Sequence, residues 1–339
     1  MKNAFFKMAI VAFAACIAMV SCSKESIGVE EESEFYTVQL GWAGEILDVS
    51  YEPLATRATT DDLYGIQVYS APNNDAATTT WTKFAYGVFE GADNITINLL
   101  KGYKYKFVAT MVVDGKNKIA KDGVGYYGPF SLDYHASKEL NKFNFSSQYG
   151  LGGLGNGSTF LKNPSHIYNR PNVERFYGEL VDYVPGSNGN KANIKMKRTS
   201  FKAKFIAKGK LAKSGTLNIM MTDAPEMNLA LSNSNNQISD MFTFSDVDAA
   251  WADNQYSETV AVTLTWTRTD GTVVPLNTHK VSFKRNATTV VQVTIDNDAN
   301  AGDLGFEIDD TDVTEGDDEN PDVEITDGES VKTNVTTNH

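Results

Sequence analysis

A chain of 339 residues, 41% apolar and 11% aromatic, is long enough for two buried cores and too apolar to remain unfolded. Its net charge of −13 is localised: 15 of the 43 acidic side chains lie in residues 296–330 with no basic one among them, so the 28 that precede face 29 basic side chains. A nearly neutral body with an acidic end has no basic stripe, which excludes nucleic acid as a partner.

The first element is an export signal over residues 1–21. Lys2 and Lys7 precede the apolar run MAIVAFAACIAMV (8–20), which is too short for a stable membrane span. Ser21 stands directly before Cys22 in the pattern of a bacterial lipobox, which implies cleavage there and acylation of Cys22. A plain secretory signal is the alternative. The chain's other cysteine, Cys16, lies inside the leader, so the processed chain has no thiol left for a disulfide.

SKESIGVEEESE (23–34) reads as a polar tether. FYTVQLGW then alternates, with Tyr36, Val38, Leu40 and Trp42 on one face, and ILDVSY repeats the pattern with Leu47, Val49 and Tyr51. Next comes YEPLATRATTDD (51–62), in which Arg57 is the only basic residue between Lys24 and Lys83. LYGIQVYS (63–70) opens another apolar run. In YKYKFVATMVVDGKNK, Tyr103, Tyr105, Phe107, Ala109 and Met111 alternate with polar residues until Asp114-Gly115, a dipeptide suited to a tight hairpin. A loop rich in glycine and asparagine follows at 147–165. DYVPGSNGNK (182–191) has linker composition, and the predicted boundary falls there, giving domains at 36–185 and 190–298 with an acidic extension at 299–339.

The second half repeats this grammar. Phe201, Ala203, Phe205 and Ala207 share a face, as do Leu217, Ile219 and Met221; Val260, Val262, Leu264 and Trp266 lead into the hairpin dipeptide Asp270-Gly271. Val281 and Phe283, then Val291, Val293 and Ile295, complete the series, and only 240–256 suits a helical turn. The expected fold is all-β: two tandem antiparallel β-sandwich domains of the transthyretin or immunoglobulin type.

No catalytic constellation emerges. GLGGLG (150–155) matches the spacing of a dinucleotide loop, but the Asn, Gly and Pro that follow do not support the required helix. His135, His166, His279 and His339 have no metal-ligand spacing, and no nucleophile elbow is present. DDTDVTEGDDENPD (309–322) is rich in oxygen ligands yet lacks an EF-hand pattern, and reads as solvated tail. Trp42, Trp81, Trp251 and Trp266 are the candidates for stacking on sugar rings, although Trp42 and Trp266 fall on apolar strand faces and suit core packing. The sequence therefore predicts no enzyme, no cofactor and no metal.

The lipobox at Cys22, the polar tether, the alternating first strand, EPLATRATTDDLYGIQVY and the later NIKMKRTSFKAKF opening a second β domain together resemble the fimbrillin family, the fimbrial subunit lipoproteins of Bacteroidales. The resemblance covers the whole chain in layout and rests on loose motifs. It implies a lipoprotein that reaches the outer membrane and is cut by an arginine-specific envelope protease. Carried to this sequence, the cut falls between Arg57 and Ala58, and residues 22–57 leave with the lipid. The strand marked by Tyr36, Val38, Leu40, Trp42, Leu47, Val49 and Tyr51 is then replaced by one from another subunit. Candidate donor segments are DLGFEID, with Leu304, Phe306 and Ile308, and DVEIT, with Val323 and Ile325. The competing expectation is a surface lipoprotein that does not polymerise and binds glycan or a host ligand, or a fimbrial tip subunit, or an anchor subunit that is never cut and keeps its lipid.

Overall fold

The computed structural model describes residues 34–47, 61–74, 79–130, 139–186, 190–210, 212–296 and 306–312. It is nearly all strand. The first half carries β1 (Phe35–Gly44), β2 (Leu63–Pro72), β3 (Thr82–Phe89), β4 (Thr96–Leu100), β5 (Tyr103–Val112), the short β6 (Lys121–Asp122), β7 (Gly125–Tyr126), β8 (Asn144–Phe145), β9 (Thr159–Leu161) and β10 (His166–Tyr168), then β11 (Arg175–Tyr183) and β12 (Lys191–Arg198). The second half carries β13 (Ser200–Lys208), β14 (Thr216–Met221), β15 (Met227–Ala230), β16 (Gln237–Thr243), β17 (Ser257–Thr267), β18 (Val273–Lys284), β19 (Ala287–Thr294) and β20 (Phe306–Asp312). A six-residue helix, Val247–Ala252, sits between β16 and β17 within the stretch where the sequence suited a helical turn; Asp246 caps it by accepting from the Ala249 amide.

Eight strands of the first half form one sheet in the order β4-β1-β12-β11-β5-β2-β3-β8. In a flat sheet β1 and β2, four strand spacings apart, would lie about 19 Å from each other. The rings of Trp42 on β1 and Tyr64 on β2 are instead 5.1 Å apart between centroids. The sheet is therefore rolled over on itself, and side chains from seven of its strands meet in one core, among them Val38, Ile66, Leu99, Phe107, Phe176 and Ile194. The convex face is also covered. Val108, Val112 and Tyr177 pack there against Phe130, Leu151, Leu154 and Leu161 from the long excursion between β5 and β11. Strands buried on both faces need no alternation, which explains the unbroken buried run from Leu63 to Val68.

The second half forms two four-stranded sheets, β16-β13-β19-β20 and β15-β14-β17-β18. They face each other across a core that holds every apolar position read from the sequence there, from Phe201 to Ile295. Three phenylalanines gather at its centre, Phe201 with Phe283 at 4.5 Å and Phe244 at 4.8 Å. Asp270-Gly271 makes the expected hairpin: Gly271 adopts φ +85°, and Arg268 N–H donates to Thr272 O at 2.9 Å.

Three expectations are corrected. The chain leaves the first sheet at Thr199, not at 182–191: β12 pairs with β1 and β11, because Ala192, Ile194 and Met196 are fully buried in the first core. ILDVSY does not start a second strand at Leu47, since Glu45–Leu47 is a 3-10 turn; Val49 and Tyr51 lie outside the described residues. Asp114-Gly115 does not join two paired strands. Asp114 takes φ 55° and leads into a four-residue helical turn anchored to the start of β2, with its amide donating to Asp62 Oδ1 at 2.9 Å and Lys116 N–H to Asp61 O at 2.7 Å.

Candidate functional site

β1 is an inner strand. It runs parallel to β12, from Gln39 opposite Lys191 to Gly44 opposite Met196, and antiparallel to β4, from Phe35 opposite Leu100 to Gln39 opposite Thr96. Gln39 N–H donates to Asn190 O at 2.9 Å, and Leu40 N–H to Ile95 O at 2.8 Å. In the sheet order β4 has β1 as its one neighbour. A chain without β1 would therefore expose the ladder edge of β12, leave β4 unpaired, and uncover Ile97, Leu99, Ala192, Ile194 and Met196 between them.

Val38 and Leu40 are buried, at 0% and 3% exposure, while Tyr36 and Trp42 are half-buried. Trp42 Nε1 donates to Ala92 O at 3.3 Å, and the Lys101 ammonium stands 5.5 Å from the Tyr36 ring centroid. These four residues occupy one side of the strand, as the alternation predicts. Leu47 ends the 3-10 turn. Cys22, Val49, Tyr51, Arg57, Ala58, Leu304, Val323 and Ile325 lie outside the described residues. Phe306 and Ile308 belong to β20, whose backbone pairs with β19 at the edge of a second-half sheet, Phe306 opposite Val293 and Ile308 opposite Val291.

Sequence reasoning missed what lies just past β1. Gly44, at φ +82°, turns the chain where a Cβ would stand 2.6 Å from the Met196 carbonyl. The next residue, Glu45, is held from both halves: Arg285 of the second donates from Nη1 and Nη2 to its two oxygens at 2.7 and 3.0 Å, and Arg198 N–H at the end of β12 donates at 2.8 Å. Arg285 Nη1 also donates to Arg198 O at 2.9 Å, and Arg198 Nε to Glu174 Oε1 at 2.7 Å. Burial pushes the Glu45 carboxyl up, but its bonds to Arg285 and Arg198 outweigh this and hold it below the ordinary glutamate range. Nothing in the sequence announces this pair, whose members are 240 residues apart.

The two halves also meet through apolar and polar contacts: Val247 and Trp251 of the short helix pack into the convex-face layer, the Trp251 ring 5.7 Å from that of Tyr177. Arg170 pairs with Glu258, Asn172 donates to Asp240 at 3.0 Å, and Lys197 donates to Trp251 O and Asn254 at 2.9 and 2.8 Å. Arg175, fully buried at the start of β11, has no carboxylate partner among the described residues. It donates to Thr110 Oγ1 and to the carbonyls of Asn156, Gly153 and Leu154, so the GLGGLG stretch is a loop wrapped on a guanidinium. Burial pushes the Arg175 pKa down, while four bonds to oxygens hold the cation in place.

Among the described residues no three His, Cys, Asp or Glu side chains gather as a metal site, and no helix is long and apolar enough to cross a membrane. His166 is exposed beside Tyr168, His279 is half-buried on β18, and His135 and His339 lie outside the described residues.

No protein-family model matches the chain, and no curated protein matches it. Solved structures do. One is a protein of Bacteroides eggerthii provisionally assigned to cell adhesion, at 11% identity over 85% of this chain and 98% of that one, with a TM-score of 0.39. A second is the C-terminally truncated tip fimbrial protein Mfa3 of Porphyromonas gingivalis, at 10% identity over 82% and 98%, with a TM-score of 0.32. A third is a fimbrial protein of Bacteroides vulgatus, at 12% over 82% and 100%, with a TM-score of 0.34. At such scores the functional reading rests on the chain's own geometry.

Proposed function

We propose that this chain is a structural subunit of an adhesive surface fibre, exported as a lipoprotein on Cys22 to the outer membrane. In this reading a protease cuts after Arg57, and subunits join when a strand of one replaces β1 of the next. The observation that supports it best is the position of β1 between β12 and β4, whose one partner among the described residues it is. Removing an inner strand leaves two unsatisfied backbone edges beside an apolar trough, a configuration that accepts another strand.

The energetics suit a controlled exchange. Val38, Leu40 and Ile46 are buried, and at about 1.5–3 kcal/mol each their side chains hold β1 by about 5–9 kcal/mol before the ladder is counted. A clipped strand therefore stays seated until a competitor displaces it, and an uncut chain remains monomeric because its own strand fills the trough. The donor comes from the acidic C-terminal extension, with the segment around Phe306 and Ile308 or that around Val323 and Ile325 as the inserting strand. No catalytic role belongs to this reading.

The clamp of Glu45 by Arg285 favours a second reading. A strand fixed to the second sandwich also suits a lipoprotein that keeps residues 22–57 and stays at the membrane as an anchor, or binds a surface ligand without polymerising. Mass spectrometry of the mature chain decides between them. The proposal expects an N-terminus at Ala58 and, after treatment of the purified chain with an arginine-specific protease, a ladder of oligomers that Arg57→Ala abolishes. An intact acylated Cys22 on the mature surface protein, or a cut chain that remains monomeric, would overturn it.

A further inference from the structure

A cavity of about 290 Å³ opens on the convex face of the rolled sheet, on the side away from the core that β1 completes. Its walls bring together residues from five separate segments. Tyr69 comes from β2, Trp81 from the segment before β3, Lys106 from β5, Tyr177 and Glu179 from β11, and Asp248 from the short helix of the second half. The glycine loop at 150–155, whose phosphate-loop spacing is not followed by a helix, forms part of its rim through Gly152 and Gly155.

The polar groups are held in place before any ligand arrives. Glu179 accepts from the Tyr177 hydroxyl at 2.7 Å on one oxygen and pairs with the Lys106 ammonium at 2.7 Å on the other. Gln67 at the floor is spent on structure: its amide donates to Val68 O and Ala85 O, and its oxygen accepts from Leu151 N–H at 2.8 Å, which fixes the loop above. Asp248 rests against Gly155, where a Cβ would stand 2.3 Å from either carboxylate oxygen, so only glycine lets the carboxylate approach. Burial, with the charges of Glu179 and Asp246 nearby, raises the Asp248 carboxyl.

We infer that this cavity is a binding site for a neutral sugar ring, one residue of a glycan. Three aromatic side chains line the cavity, the kind of surface on which the apolar side of a pyranose packs, and its hydroxyls, which both donate and accept, match two carboxylates, an ammonium and two phenols. The competing ligand classes fit less well. The lining carries two carboxylates and one lysine, with the Arg175 guanidinium behind the rim loop, so no cationic cluster invites phosphate, sulfate or an acidic sugar. A wholly apolar ligand would strip water from Glu179 and Asp248 without replacing their hydrogen bonds. The volume lies at the small end of the range for ligand pockets and suits a single ring.

The test uses the full chain carrying Arg57→Ala, so that assembly does not enter. Methyl glucoside, galactoside and mannoside are titrated with saturation-transfer NMR and tryptophan fluorescence as readouts, with N-acetylneuraminic acid and glucosamine as charged controls. At least one neutral hexoside should bind saturably in the millimolar range, at least tenfold better than the neuraminic acid. Gly152 lines the cavity with nothing within 4 Å of an added Cβ, so Gly152→Phe should abolish binding while the thermal midpoint holds. Trp81→Ala and Glu179→Gln should each weaken it at least tenfold. No saturable hexoside signal, a signal that survives Gly152→Phe, or preference for either charged control would overturn the inference.

Discussion

The two halves of the molecule place their end strands at opposite positions in their sheets. In the second half the chain closes its own sandwich, and its last described strand, β20, lies at a sheet edge beside β19. In the first half, the strand nearest the leader lies inside the sheet, between β4 and β12. Taking away an edge strand bares one ladder and opens nothing. Taking away β1 bares the edges of β4 and β12, which flank its first and second halves in turn. The first half also holds a buried cation bonded to loop carbonyls, whereas phenylalanines pack at the centre of the second.

That contrast breaks hardest at Arg175. Arg175→Met should destabilise the chain by about 3–5 kcal/mol, because Thr110 and three backbone carbonyls lose their donor in a dry interior. Urea unfolding followed at two probes would show the first half melting early and the second keeping its transition. A coincident, unshifted transition would mean that the guanidinium does not organise the convex layer. Leu40→Ala should follow at about 2–4 kcal/mol, the usual range for a buried leucine. It should also weaken the hold of β1 specifically: after cleavage, a synthetic peptide of residues 34–47 carrying the same change should rebind the clipped chain at least tenfold less well than the native peptide.

Much of this was readable from spacing alone. Val38 and Leu40 declare a half-buried strand, and the second-half positions from Phe201 to Ile295 declare a sandwich, because a period of two survives wherever one face meets the core. The allegiance of β12 was not readable. KANIKMKR alternates as any strand does, and its partner β1 lies some 150 residues earlier, so composition at 182–191 suggested a boundary that pairing places at Thr199. Arg175 looks like a surface residue in NVERFYG, since burial of a guanidinium depends on loop carbonyls that fold back from elsewhere. Of the cavity walls only Trp81 stands out in the sequence, as a candidate for stacking on sugars; Tyr69, Tyr177 and Asp248 each belong to a different local pattern.

Glu45 sharpens the comparison, for just past β1 it meets Arg285 of the second half. Glu45→Gln should cost about 1–3 kcal/mol at neutral pH, leaving Arg285 with a weaker, uncharged partner. The pH dependence has a definite sign. A carboxyl whose folded pKa is depressed adds stability that is present above the unfolded value of about 4.3 and is lost as pH falls through the folded pKa. Wild type and variant should therefore differ most above pH 5 and converge in acid. Equal stability at pH 7 would show that the clamp is not coupled to folding. If the strand-replacement reading holds, the same variant should also assemble faster once cut.

The smallest stability change should come from deleting residues 299–339. Beyond β20 this segment contributes no described structure, and for β20 itself the cost of ordering seven residues offsets much of the ladder. About 1–2 kcal/mol is expected. Yet this truncation should abolish oligomer formation by the cut chain altogether, while a cut, truncated chain should still accept the C-terminal segment of an intact one. A full-length chain cut after Arg57 would then cap a truncated acceptor as a heterodimer and go no further at that end. Assembly that persists at an undiminished rate without residues 299–339 would place the inserting strand elsewhere and remove the functional meaning of the edge position of β20.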